Sequence, residues 1–204
     1  MKTVVIASRN PGKISEIRAI FRDLPVHLVP LSDRPGAPEV EETGKTFAEN
    51  ARKKAREIAR FTGEWALADD SGLEVDALDG RPGIHSARWS GGDDEENNDR
   101  LLRELAEVSP AKRTARYRAH IAVASPDGAI VVEADGACEG TIGHRRRGTG
   151  GFGYDPLFHL PGYDCTMAEV GREMKNRISH RAKALDSLRT GLGMILDPGP
   201  SSRS

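Results

Sequence analysis

The chain has 204 residues, 37% apolar and 30% charged, with 30 basic against 31 acidic side chains and a formal net charge of −1. That length and balance suit one globular domain, or two lobes sharing a core, and give no global attraction to nucleic acid or an acidic surface. The two cysteines, Cys138 and Cys165, lack any CxxC or Cys/His spacing, which argues against a disulfide framework or structural zinc and for a reducing compartment. The opening apolar run gives way to Ser8-Arg9-Asn10 too early for a signal peptide, and no later run approaches the roughly 18 apolar residues of a membrane span. A soluble cytoplasmic protein is expected.

Val4 to Ala7 reads as a buried strand. Asn10 is a good N-cap, Pro11 suits the first helical position, and Ile14, Ile17, Ile20 and Phe21 form an apolar stripe. A second strand is expected over His27 to Leu31, a Pro/Gly/Glu-rich loop over Asp33 to Gly44, and a helix from Thr46 to Arg60. Trp65 to Ala68 returns to strand, and Leu73 to Asp76 is a further short extended piece. Between them Asp69-Asp70-Ser71-Gly72 admits two readings. It is an ordinary turn sequence, and it is also a pair of carboxylates able to hold Mg²⁺ or take a proton, beside a glycine that lets backbone approach a ligand. Adjacent strand residues face opposite ways, so the two aspartates are expected to do different jobs.

Gly80 to Gly92 reads as a long loop and Asp93 to Glu107 as a helix with acids in its first turns. Ala115, Tyr117, Ala119, Ile121 and Val123 alternate with Arg116, Arg118 and His120, which predicts a half-exposed strand. The turn Ser125-Pro126-Asp127-Gly128 makes it a hairpin, extended through Ile142. Gly143 to Gly153 is loop, Thr166-x-x-Glu169 reads as a capping box, and Ser179 caps a last helix carrying Ala182, Leu185 and Leu188. The tail from Asp197 reads as disordered. Interleaved helices, strands and hairpins predict an α/β fold with a mixed sheet.

Two glycine motifs are decoys. Gly44-Lys45-Thr46 lacks the earlier glycine of a phosphate-binding Walker loop, since Glu39 stands there. Gly148 to Gly153 satisfies G-x-G-x-x-G, but Pro156 prevents a helix from starting where a dinucleotide site requires one. The N-terminal unit is more persuasive. Ser8 to Lys13 places free amides at the positive end of a helix dipole, a ready anion site. Lys13 is disfavoured there by about 0.3–1 kcal/mol, which makes sense opposite a polyphosphate, although a solvated surface lysine remains an equal reading. Asn50 and Lys54 share one helix face, and Lys175, His180 and Arg181 form a further cluster of donors.

Ser8-x-Asn10-x-x-Lys13, Glu41 to Gly44 with Thr46-Phe47-x-Glu49-Asn50-Ala51, Ala68 to Leu73, Pro82-Gly83-Ile84-x-Ser86-Ala87-Arg88, Gly150 to Pro156 and Ser179-His180-Arg181 occur in that order. Jointly they resemble the inosine/xanthosine triphosphate pyrophosphatases over roughly residues 3 to 190. The resemblance implies a mixed, twisted central sheet flanked by helices, as two lobes with the active-site cleft between them, within a single domain over residues 1–196. It implies Mg²⁺-dependent hydrolysis of ITP, dITP and XTP to the monophosphate and pyrophosphate, removing these nucleotides from the pool.

Asp70 then matches the proton acceptor and a Mg²⁺ ligand, with Glu42 as second carboxylate and Glu41 as the alternative. Lys13 and Asp69 join it in the catalytic group. Ser8, Arg9, Asn10, Pro11, Gly12, Lys13, Lys54 and Ser71 would hold the triphosphate, and Phe152, Gly153, Tyr154, Asp155, Lys175, His180 and Arg181 the base. The implied assembly is a homodimer. Alternatives are a related pyrophosphatase acting on modified pyrimidine nucleotides, and a nucleic-acid module using Arg113, Arg116, Arg118 and Arg145 to Arg147; balanced charge and few aromatics argue against the latter.

Overall fold

The computed structural model of the protein describes residues 1–196, so the tail from Asp197 lies outside the described residues. The apolar opening run forms β1 (Lys2–Ile6), fully buried from Val4 onward. The Asn10 side chain accepts from the Lys13 amide at 3.1 Å and Pro11 occupies the first turn, so α1 (Pro11–Ile20) begins where its cap predicts. β2 (Val26–Pro30) lies parallel to β1, with Lys2 opposite Val26 and Ile6 opposite Pro30. α2 (Phe47–Thr62) is capped by the Thr46 hydroxyl, which accepts from the Glu49 amide at 3.1 Å. It closes on Gly63, left-handed at φ 66°, the conformation a helix C-terminus favours for glycine. Its buried residues, Asn50, Ala51, Ala55, Ile58 and Ala59, keep helical period, and the alanines allow a close approach to the sheet.

β3 (Trp65–Val75) corrects the expectation of two short pieces joined by a turn. Asp69, Asp70, Ser71 and Gly72 are interior to one eleven-residue strand; β1 accompanies β3 only as far as Leu67, and the sheet contact with β4 on the other side outweighs their low β propensity. It runs parallel to β1, Val4 opposite Trp65 and Ile6 opposite Leu67. The Gly80 to Gly92 loop contains a short 3₁₀ helix, Gly83–Arg88. α3 (Asp94–Glu104) is capped by Asp93, which accepts from the Glu96 amide at 3.0 Å, and carries Asp94, Glu95 and Glu96 in its first turn.

β4 (Thr114–Ala124) and β5 (Ile130–Ile142) are sheet neighbours joined by the expected turn, in which the Gly128 amide donates to the Ser125 carbonyl at 2.7 Å. The half-exposed alternation holds only as far as Ala119. His120 is 4% exposed, and the strand is buried on both faces from there on. β6 (Phe158–His159) pairs antiparallel with β5, giving the strand order β2-β1-β3-β4-β5-β6 and the mixed α/β sheet expected. The Thr166–Glu169 box heads no helix. The Glu169 carboxylate does accept from the Thr166 amide at 2.8 Å, but the Thr166 hydroxyl donates to the Arg147 carbonyl, and helix begins only beyond Gly171. α4 (Arg172–Ile178) and α5 (His180–Leu196) flank Ser179.

The chain divides into two compact units, one comprising Met1–Asp70, His120–Asp135 and Ala182 onward, the other Ser71–Ala119 and Gly136–Arg181. In the first, α2 packs Ala51, Ala55, Ile58 and Ala59 against Val5, Ala7, Ala66, Ala68, Ala122 and Ala124. In the second, Leu73, Val75, Leu101, Leu105, Tyr117, Phe158 and Met167 belong to one core.

Candidate active site

In the first unit the site grows from strand parity. Ala66 and Ala68 face α2, so Asp70 emerges on that side two residues later, while Asp69 faces the other way. The Asp70 carboxylate is divided between two residues one turn apart on α2. The Asn50 amide donates to Oδ2 at 3.1 Å, and the Lys54 ammonium lies 3.0 Å from Oδ1. The same ammonium donates to Glu42 Oε1 at 2.8 Å and to the Asp69 carbonyl at 2.9 Å. Asp69 instead ion-pairs with Lys13 at 2.6 Å, its side chain fully buried and that of Lys13 17% exposed. Lys13, expected to face a polyphosphate, therefore has a structural counter-ion in Asp69.

Upstream, the Ser8 hydroxyl accepts from the Asn10 amide at 3.2 Å, and Arg9 donates to the Ala37 carbonyl at 2.9 Å, pinning the Asp33 to Gly44 loop. Pro11 and Gly12 complete the first turn of α1. Glu41 is exposed, and its main-chain carbonyl accepts from Lys53; Glu42 is the acid at the cluster.

Burial raises the Asp70 pKa above the usual carboxylate value; Lys54 and Lys13 pull it back, and Glu42 adds to the rise. Burial opposes the charge on Lys54, but Asp70, Glu42 and Asp69 together outweigh it and hold the ammonium pKa above its ordinary value. Among the described residues no three His, Cys, Asp or Glu side chains stand close enough to hold a metal by themselves. The two carboxylates and one carbonyl that converge on the Lys54 ammonium are nonetheless an all-oxygen donor set around a point of positive charge. That chemistry fits a hard divalent cation that keeps several waters.

The second unit gathers the other group around Asp155. Its Oδ2 accepts from Lys175 Nζ at 2.6 Å and from the Phe152 amide at 3.0 Å, and its Oδ1 from the Tyr117 hydroxyl at 3.2 Å. A Cβ on Gly151 would lie 2.0 Å from that Oδ2, so the loop needs glycine where it wraps the carboxylate, as its φ of 75° also requires. Held this way, the Lys175 ammonium sits 4.5 Å from the Phe152 ring centroid, with the Arg181 guanidinium at 5.7 Å. Arg181, 1% exposed, donates to Ser71 Oγ at 2.9 Å, and His180 stacks on Tyr117 at 4.8 Å.

Tyr154 turns into the core, where its hydroxyl donates to the Ser86 carbonyl at 2.9 Å and burial raises its pKa. Both polar groups of the Gly153 backbone are engaged by α3, the amide with Asp94 Oδ2 at 2.6 Å and the carbonyl with Asn98 Nδ2 at 2.9 Å. Sequence reasoning assigned no role to Asn50, Tyr117, Asp94 or Asn98; only Asn50, within a matched motif, carried a signal.

The arginines of the nucleic-acid reading are largely engaged within this unit. Arg113 donates to the Leu105, Val108 and Gly143 carbonyls, Arg116 pairs with Asp76 and Glu139, and Arg118 pairs with Glu74. Arg146 pairs with Glu95 and Asp99, and Arg147 with Glu169; Arg145 is exposed.

A family model described as the Ham1 family matches residues 4–191. The chain belongs to the Ham1 family. Two curated relatives, each named dITP/XTP pyrophosphatase, are 53% identical: one from Desulforamulus reducens over 89% of this chain and 91% of its own, the other from Geobacter sulfurreducens over 95% and 98%. The structure of a HAM1 protein from Coxiella burnetii is 38% identical and superposes with a TM-score of 0.85, covering 98% of this chain and 100% of that one. The mixed six-stranded sheet is thus the Ham1 fold. Among the described residues no helix is long and apolar enough to cross a membrane.

Proposed function

We propose that this Ham1-family chain is a nucleoside triphosphate pyrophosphatase that converts dITP, XTP and ITP to the monophosphate and pyrophosphate, clearing them from the nucleotide pool as a cytoplasmic homodimer. The relatives named dITP/XTP pyrophosphatase support the reaction class. The observation that carries it is the convergence of Glu42 and Asp70 on one cationic point, with Lys13 nearby on Asp69.

Asp70 accepts the proton of the water that attacks the α-phosphorus; burial lifts its pKa toward the range in which a carboxylate is an effective base. Glu42 and Asp70 would hold Mg²⁺, which when bound makes water more acidic and neutralises phosphate charge. The amides of Ser8 to Lys13, the Lys13 and Lys54 ammonium groups and the Ser71 hydroxyl hold the triphosphate. Phe152 offers a stacking face, and Lys175, His180 and Arg181 offer donors to an acceptor at purine position 6. Adenine presents an amino group there, so its binding would strand buried donors, a penalty worth factors of about 10⁴.

The deciding experiment is product analysis over a panel of dITP, XTP, ITP, ATP, GTP and modified pyrimidine triphosphates, with Mg²⁺ and with chelator. Pyrophosphate from the first three alone, abolished by chelation, is expected. Orthophosphate as the product would overturn the reading. Light scattering on a sizing column tests the dimer.

A further inference from the structure

We propose that Asn50 is a positioning residue of the hydrolytic centre, one that sets which oxygen of Asp70 faces the reaction and ties that choice to the loop carrying Glu42. The inference rests on the pyrophosphatase reading above and deepens it. Asn50 is fully buried in the first turn of α2. Its Nδ2 donates to Asp70 Oδ2 at 3.1 Å, and its Oδ1 accepts from the Gly44 amide at 2.8 Å. One planar amide therefore joins the proton acceptor of β3 to the chain just beyond Glu42.

The polarity of the amide matters. Oδ1 is satisfied by a backbone donor, which leaves Nδ2 as the group toward Asp70. A donor on Oδ2 leaves Oδ1 for the Lys54 ammonium, which in turn reaches Glu42. Asn50 and Lys54, four residues apart on one face, thus assign the two oxygens of Asp70 to different tasks. Gly44 belongs to the same device. A Cβ there would stand 2.6 Å from Asn50 Oδ1 and 2.7 Å from the Glu49 Cβ, so any side chain at 44 displaces the amide that aims Asp70.

A buried asparagine that serves only packing and hydrogen bonding would cost stability when removed and leave turnover per folded molecule unchanged. A positioning residue behaves differently. A reacting group displaced by about an ångström loses on the order of a hundredfold in rate while remote substrate contacts persist.

The test is steady-state pyrophosphate release from XTP by the full chain and by Asn50→Ala, Asn50→Asp and Gly44→Ala. Each is paired with a thermal melt and with titration of a non-hydrolysable XTP analogue. Asn50→Asp keeps an acceptor for the Gly44 amide and loses the donor to Asp70. Gly44→Ala removes no side chain of the centre and acts only by displacing the Asn50 amide. We expect kcat to fall by about a hundredfold in both Asn50 variants. It should fall about tenfold or more in Gly44→Ala, with KM and analogue affinity within about threefold of the parent throughout. Parental kcat in Asn50→Asp or Gly44→Ala overturns the proposal, as does a loss matched by the unfolded fraction alone. If the Asn50 variants do not fold, Gly44→Ala decides by itself. Absence of pyrophosphate release by the parent chain would instead overturn the pyrophosphatase reading.

Discussion

The carboxylates of Asp69 and Asp70 leave β3 on opposite faces, the first closing on Lys13 at 2.6 Å and the second on Lys54 at 3.0 Å. Two consecutive residues of one type are thereby split between tasks by strand parity alone. Asp69 is fully buried in an ion pair that anchors the first turn of α1, while Asp70 shares its oxygens between Asn50 and Lys54.

Asp70→Asn should abolish pyrophosphate release, by a factor of about 10³ or more, because the neutral amide cannot accept a proton. The fold should survive, since burial already disfavours the Asp70 charge and Glu42 remains as counter-ion to Lys54. A melting temperature within about 5 °C of the parent, alongside lost turnover, is the expected pair of readings.

Breaking the Lys13–Asp69 pair from one side should be costly. Lys13→Met takes the 2.6 Å ion-pair partner from a carboxylate whose side chain has no exposed surface, a loss of about 3 kcal/mol in urea unfolding. Adding Asp69→Asn should restore most of that loss, because the buried charge that lost its ion-pair partner is gone. The double-mutant cycle therefore predicts strong coupling in stability, while neither variant regains activity.

Glu133 gives a pH dependence of defined sign. The bidentate Arg52 guanidinium, at 2.6 and 2.7 Å, holds its carboxyl down to about 2. A depressed carboxylate pKa stabilises the fold above the unfolded value near 4.5, and the contribution is lost as pH falls from there through about 2. With the side chain 34% exposed, solvent screening limits it to about 1 kcal/mol or less. Glu133→Gln should be less stable than the parent at pH 7 by that amount, and the gap should close on acidification.

On the base side, Lys175→Met removes the ammonium over Phe152 and a partner of Asp155. The same ammonium is a proposed hydrogen-bond donor to the purine, and a bond from a charged group is worth about 1.5–3 kcal/mol, so KM for XTP should rise by about tenfold or more with a smaller change in kcat. Tyr117 and the Phe152 amide remain on Asp155, and the loop should keep its conformation by circular dichroism.

What could be read from sequence is uneven, for physical reasons. Caps and periodicity are local, so the Asn10 cap located the start of α1, and the helices expected from Thr46 and Asp93 begin one residue later, with those two residues as their caps. Asp69 to Gly72 did not read as strand interior, because those residues are poor strand formers held in place by tertiary sheet contact with β4. The different jobs of Asp69 and Asp70 followed from parity. The identity of their partners did not, since Lys13 and Asn50 arrive through the tertiary placement of two helices. Tyr117 read only as an alternating core position, and its links to Asp155 and His180 span 38 residues or more.

The wrapping of Asp155 has an evolutionary consequence. One carboxylate sets the Phe152 amide, the Lys175 ammonium and the Tyr117 hydroxyl, and leaves Gly151 no room for a side chain. Single substitutions within this loop are therefore expected to disturb together several of the groups proposed above to read the base, and their effects on base preference should not add. On the proposed reading, a change of base preference is therefore expected to be reached more readily at residues outside this hub than at Asp155 itself.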